Sequence, residues 1–322
     1  MNDKLRSLKT KFKSARDKTP NPLPKVESKA FEFIAREGFN KFLKKHDMLL
    51  FANQNPKEKV PTFQEILNNI SYSVLKLPNQ PWEISYSYKN SQGITKVRLH
   101  NKFKKNRPSL VFHHGLGAIS RPKLQLRLIA DTKIKTKFNV FSILASNHES
   151  SQKVIKSCVN NFVNLASTTC ASVLAVNEIV NFHKNNANTK IAITGLSLGG
   201  VVSSLHYFYF NTANYYFPIV SYPNLGSALT KTKGYKHVVN NYKSISKNKS
   251  IINSFSIPKE FLSRPKNKIY PTLGKFDEIF NYEDTQKFWK GYETITFDTG
   301  HFSIFSKGKE VRKLILDKVF EN

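Results

Sequence analysis

The sequence predicts an α/β domain: an eight-stranded, mostly parallel sheet flanked by helices, with a helical extension in front of it. Three observations predict this. From Trp82 onward, short apolar runs of strand length recur. The last six are separated mostly by stretches long enough for a crossover helix, as parallel strands require. Glycine-rich turns stand directly after two of these runs, and right-handed crossovers leave functional residues at the carboxyl ends of such strands.

Composition sets the outer limits. A chain of 322 residues suits one large domain or two ordinary ones. With 39% hydrophobic residues, including 25 Phe and 13 Tyr, it has ample material for a core. The formal net charge of +29 raises the question of a polyanionic partner. Only nine of the 51 basic residues are Arg, and the Lys are spread along the whole chain. Bidentate base recognition favours Arg over Lys, and no zinc-finger, RRM-like or basic-zipper pattern is present, so nucleic acid is not the expected partner. No run reaches the ~20 apolar residues of a membrane span, and the start of the chain lacks the ~7–15 of a secretory signal. The expectation is a cytoplasmic protein, with an anionic substrate or peripheral contact with an anionic membrane surface left open.

Taken in order, residues 1–17 place Leu5, Leu8 and Phe12 on one helical face among basic residues, and Pro20 to Pro24 mark a break. Phe31, Ile34, Phe39, Phe42 and Leu43 recur near a helical repeat, and a second short helix is expected around Gln64 to Ile70. Residues 1–75 thus read as a helical extension whose residues suggest no chemistry, and 76–322 as the main domain. Trp82 to Tyr88 and Ile94 to His100 flank Asn90-Ser91-Gln92-Gly93 as a hairpin with a glycine-containing loop. Six further strands are expected at Ser109–His113, Phe138–Ala145, Lys190–Thr194, Tyr215–Tyr222, Lys268–Leu273 and Glu293–Phe297. A long helix between about Val154 and His183 holds both cysteines, Cys158 and Cys170. Twelve helical residues separate them by more than three turns, too far for a disulfide, so they read as small core residues in a reducing compartment. Residues 224–267 form an insert with nine Lys or Arg against one acid, Glu260.

Two motifs carry chemistry. Gly195-Leu196-Ser197-Leu198-Gly199 follows the apolar strand Ile191 to Thr194 and precedes an apolar run of helical length. Between a strand and a helix this string makes a turn so tight that small residues must flank the serine, whose Oγ is held out above the sheet. The helix that begins there offers unpaired N–H groups to developing negative charge. His113-His114-Gly115-Leu116-Gly117 stands at the end of the strand Ser109 to Phe112. Together, strand-His-Gly-x-Gly and strand-Gly-x-Ser-x-Gly-Gly-helix resemble the α/β-hydrolase superfamily of esterases and lipases, over roughly residues 82 to 320.

The resemblance implies that one oxyanion-hole N–H comes from Leu116, or from Gly115, and the other from Leu198. Such donors are worth roughly 2.7–4 kcal/mol each in acyl transfer. His114 reads as a histidine bracing that loop, with Gly115, Gly195 and Gly199 as supporting positions. A serine nucleophile needs a base, usually a histidine oriented by a carboxylate. The family order is Ser, acid, His, and His301 follows the last expected strand in Asp298-Thr299-Gly300-His301. His113 and His114 precede the serine, His206 lies in the following helix, and His237 falls in the Lys-rich insert. The acid is expected at Asp277, ending the strand-Gly-x-x-Asp turn after Leu273, with Asp298, Glu278 and Asp284 as rivals. Fold class and triad imply a serine hydrolase of ester-like bonds that needs no metal or organic cofactor. A peptidase, thioesterase or acyltransferase on the same triad, or a silent binding module with a basic surface, are the alternatives. The insert stands where the family often carries a cap, and its charge either favours anionic substrates or simply shares the general Lys excess. Aromatic residues Tyr207 to Phe210 read as core rather than acyl pocket.

Overall fold

The computed structural model describes residues 25–45, 49–76, 80–116, 122–150, 153–232, 235–236 and 238–321. Leu5, Leu8, Phe12, the break at Pro20 to Pro24, Gly117 and His237 therefore lie outside the described residues. A long helix, α1 (Lys25–Lys45), comes first, followed by α2 (Phe63–Asn69). Thr62 caps α2 by accepting the Glu65 N–H, while the Glu65 carboxylate accepts the Thr62 N–H at 2.7 Å, a reciprocal box that fixes where the helix starts.

Nine strands among the described residues form one sheet: β1 (Ser71–Leu75), β2 (Trp82–Tyr88), β3 (Ser91–Leu99), β4 (Ser109–His113), β5 (Asn139–Leu144), β6 (Ile191–Leu196), β7 (Tyr215–Ile219), β8 (Thr272–Gly274) and β9 (Ile295–Phe297). Their spatial order is β1-β2-β3-β5-β4-β6-β7-β8-β9. The β1/β2, β2/β3 and β3/β5 pairs are antiparallel, and every later pair, from β5/β4 to β8/β9, is parallel.

The strand missing from the eightfold expectation is β1. It lies at the sheet edge with four of its five residues exposed, so no buried alternation marks it in the sequence. The hairpin also differs from expectation. Tyr88 pairs with Ser91, leaving a two-residue turn at Lys89 and Asn90, and Gly93 sits inside β3 opposite Tyr86. A side chain at Gly93 would collide with Ser146 Oγ, so this glycine answers to packing rather than to the turn.

The central strands explain their own sequences. All five residues of β4 are buried, because helices cover both faces. Leu110 and Phe112 face a core shared with α3 (Pro122–Ile129), α4 (Thr132–Lys137) and the last helix, whereas Val111 faces the larger core under α5 (Phe162–Asn186) and α6 (Leu198–Tyr209). At 25 residues α5 is long and apolar enough to cross a membrane by length and composition, yet 78% of its most apolar window is buried inside the fold. Its apolar character is that of a core helix enclosed on most sides. The expected single helix from Val154 is in fact a π-turn, Val154–Cys158, then a break, then α5 from Phe162. Cys158 and Cys170 are both free and buried, and burial pushes the Cys158 thiol up to about 12.

Between β7 and β8 the insert folds as short helices, among them α7 (Leu225–Lys231), α8 (Tyr242–Ile245) and α9 (Lys249–Asn253), and the chain closes with α10 (Tyr282–Phe288) and α11 (Gly308–Phe320). Segment 49–63 packs on this insert. The Leu50 N–H donates to the Val238 carbonyl at 2.8 Å, Asn240 returns a bond to Leu50, and the Phe63 N–H donates to Ser254 at 2.6 Å. Phe63, fully buried, meets the Phe255 ring at 5.6 Å and the Tyr209 ring at 5.0 Å. Replacing it with Ala removes the contact that joins extension, insert and α6. Phe63→Ala should therefore lower stability by about 3–5 kcal/mol, read as a reduced midpoint in urea unfolding.

Candidate active site

Ser197 stands alone between β6 and α6 with φ 57° and ψ −116°. A non-glycine residue there carries local strain, on the order of 1–3 kcal/mol, and persists only where its neighbours over-determine it. They do. The Ser197 N–H donates to the Ile219 carbonyl on β7 at 2.9 Å, and its own carbonyl accepts from Val201 in the first turn of α6 at 3.0 Å. A Cβ on Gly195 would overlap the Gly199 backbone, and one on Gly199 would overlap the His113 carbonyl. The motif glycines are thus set by backbone-to-backbone contact, which locks α6 onto the ends of β6 and β4. Val220, next to Ile219, is also left-handed at φ 40° and donates its N–H to the Thr272 carbonyl at 2.8 Å, tying β7 to β8 beside the turn.

Asp277 follows β8 by three residues and His301 follows β9 by four, so the parallel sheet delivers both to the edge where Ser197 stands. The Ser197 hydroxyl lies 2.9 Å from His301 Nε2, and His301 Nδ1 lies 2.9 Å from Asp277 Oδ2. With Nδ1–H donating to the carboxylate, Nε2 is the acceptor for the serine proton. The other carboxylate oxygen, Oδ1, accepts the N–H groups of Ile279 and Phe280, both at 2.8 Å, which fixes the carboxylate plane. Phe280 and Phe302 flank the imidazole, each with its ring centroid 5.5 Å away. Burial alone would lower the His301 pKa. The charge and hydrogen bond of Asp277, aided by the charge of Glu32, outweigh it and hold His301 above its ordinary 6.5. The rival acids lie elsewhere: Asp298 pairs with Lys275 at 2.8 Å on the surface, Glu278 pairs with Arg36, and Asp284 sits in the first turn of α10.

The loop after β4 meets the serine from the other side. A Cβ on Gly115 would lie 3.0 Å from Ser197 Cβ and 3.6 Å from its Oγ. The Gly115 N–H, however, is taken by Gln125 Oε1 at 2.8 Å. Of the two oxyanion donors the sequence leaves open, this one is occupied, and Leu116, the next residue, is the other. Leu198 is the first residue of α6, where backbone N–H groups have no partner within the helix. His114 donates from Nδ1 to the Gly115 carbonyl at 2.9 Å and accepts the Ala145 N–H at Nε2 at 3.1 Å, bracing the loop against the end of β5. Burial pushes it down to about 3, with nearby His148 adding to the effect, so the ring is neutral. His206 is buried in α6 against Tyr216, and Tyr207 and Phe208 are core.

Two side chains at the site were not expected from the sequence. Gln125 comes from α3, and Glu32 reaches from α1, whose residues had suggested no chemistry. Its carboxylate accepts the N–H groups of Phe302 and Ser303, the two residues after His301. No sequence signal separates Glu32 from other glutamates, because its partners lie 270 and 271 residues away.

No protein-family model matches the sequence, and no curated protein matches it. The fold is similar to solved structures. Est1E from Butyrivibrio proteoclasticus superposes with a TM-score of 0.51 at 14% identity, covering 74% of this chain and 98% of that one. Acetyl xylan esterase 1 from a Thermoanaerobacterium species gives 0.51 at 10% identity, with 82% and 96% covered. An acetyl xylan esterase from a Paenibacillus species gives 0.51 at 12% identity, with 78% and 92% covered. The chain has the α/β-hydrolase fold.

The contact between Gly199 and the His113 carbonyl gives a direct check on the turn. Gly199→Ala must push α6 away from β4 and should destabilise the protein by about 3 kcal/mol. Thermal unfolding of the variant beside the wild type measures this.

Proposed function

We propose that the protein is a serine hydrolase that cleaves carboxylic esters through an acyl-enzyme on Ser197. The observation that carries this reading is the unbroken hydrogen-bonded chain from Ser197 Oγ through His301 to Asp277, set at the amino end of a helix. Ser197 Oγ attacks the ester carbonyl as its proton passes to His301 Nε2. The oxyanion is met by the N–H groups of Leu198 and Leu116. His301 returns the proton to the leaving alkoxide, freeing the alcohol and leaving the acyl group on the serine. Water then repeats the sequence, releasing the acid and restoring the hydroxyl. Asp277 keeps the imidazole in the tautomer that presents Nε2 and balances the imidazolium that forms twice per turnover.

Esters are the substrate class we carry over from the similar structures named as acetyl xylan esterases. The Lys-rich insert next to the acid-bearing strand suits an anionic substrate or an anionic lipid surface, and the buried free thiols suit a reducing cytoplasm.

Hydrolysis of p-nitrophenyl esters of increasing acyl length, wild type against Ser197→Ala, tests the reading. The wild type should turn over and the variant should lose roughly 10⁴-fold or more in kcat with its unfolding temperature unchanged. A wild type that acts on no ester would move amides, thioesters and the binding-module alternative ahead. The pH dependence is a second check. His301 must be neutral to accept the proton, and its pKa is held above 6.5, so kcat/KM should rise with pH through a midpoint above that value. A midpoint below 6.5 would contradict the Asp277–His301 pairing as drawn.

A further inference from the structure

Glu32 is a carboxylic acid only 6% exposed, placed on a helix that precedes the sheet. Its Oε1 accepts the Phe302 N–H at 2.8 Å and the Ser303 N–H at 2.5 Å. Gly300, on the other side of His301, presses against the same side chain: a Cβ there would collide with Glu32 Cγ and Cδ. One carboxyl group therefore holds the backbone on both sides of His301. One turn further along α1, Arg36 pairs with Glu278, the neighbour of Asp277. The helix thus fastens both the loop carrying the base and the loop carrying the acid.

A structural clasp alone does not need a charge. A glutamine carbonyl would accept the same two N–H groups, and burying a carboxyl is unfavourable. Burial indeed raises the Glu32 pKa from its ordinary range, against the opposing pull of the Ser303 hydrogen bonds. What an amide would not provide is the second negative charge that an ionised Glu32 places behind the imidazole, where it raises the His301 pKa alongside Asp277. Among the described residues, the ionisable groups that raise the His301 pKa are Asp277 from the loop after β8 and Glu32 from α1. Beyond them stand the Arg36–Glu278 pair and Tyr235 of the insert, whose hydroxyl is held above its ordinary pKa by burial and, less, by the Asp277 charge. Phe280 and Phe302 complete the surroundings with apolar rings.

We propose that Glu32 is a positioning residue for His301: it anchors the loop through Phe302 and Ser303 and supports the imidazolium with its carboxylate. This rests on the reading of His301 as the general base. The helix in front of the sheet is then part of the active-site machinery.

Glu32→Gln and Glu32→Ala, in the full chain, test it. The titration of His301 is followed by NMR of ring-labelled histidine, with no substrate present, and kcat and KM are measured separately on a p-nitrophenyl ester. Glu32→Gln keeps the acceptor and removes the charge, so the His301 pKa should fall by about half a unit or more, and the acid limb of kcat/KM should move to lower pH with it. Glu32→Ala removes the anchor as well and should lower kcat by about tenfold or more with KM within about twofold. A His301 titration in Glu32→Gln identical to that of the wild type overturns the proposal, whatever Glu32→Ala does. Because that titration needs no turnover, its failure is distinct from the failure of the ester assay.

Discussion

The strained backbone of Ser197 is the constraint on which the rest of the site depends. A residue at φ 57° between a strand and a helix is held there by contacts that each reach a different strand. Its N–H goes to β7, its neighbour Gly199 rests on the last carbonyl of β4, and β6 itself feeds the turn. None of these contacts is strong alone, and a single hydrogen bond nets about 1 kcal/mol. What they share is rigidity: three parallel strands in register leave the hydroxyl one place to stand. That same register sets the heights of the β8 and β9 loops, so Asp277 and His301 reach the serine without long excursions. Sheet order brings Asp277 and His301 to the edge where Ser197 stands, and the loops after β8 and β9 complete the two 2.9 Å separations.

Charge within the site is arranged by burial. Asp277 and His301 are nearly inaccessible, and at His301 the Asp277 charge and hydrogen bond, with the Glu32 charge, outweigh burial and raise the pKa. The His113, His114 and His148 rings are equally buried, and there burial dominates, lowering all three. The same side chain therefore titrates in opposite directions at two loops, lowered where burial dominates at His114 and raised where the Asp277 carboxylate outweighs burial at His301.

How much of this was legible in the sequence follows from what each element contacts. Central strands such as β4 and β6 are buried on both faces and appear as apolar runs, and the glycines of the turn after β6 are dictated locally. The positions of Asp277 and His301 after the last two strands could be read from the chain, and the structure brings both side chains to Ser197. Edge strand β1 was not, because its side chains face solvent and carry no periodic signature. Gly93 was misread as a turn residue since its reason, the Ser146 side chain, lies on another part of the chain. Glu32 and Gln125 stayed hidden for the same reason: a polar residue in a helix looks solvated until its distant backbone partners are known.

Those hidden contacts also explain why segments without motifs belong to the working fold. The segment 49–63 pairs with the insert through Leu50, Asn240 and Phe63. Helix α1 grips the loops on either side of the acid and the base through Arg36 and Glu32. The loops after β8 and β9 follow strands of only three residues each, and β8 joins β7 through a single paired position, so the sheet alone restrains them weakly. Short strands at this edge leave the loops that carry Asp277 and His301 to be held by something else. Helix α1 supplies that hold from outside the sheet, through Glu32 and Arg36, which is a physical reason for its presence that composition and periodicity could not reveal.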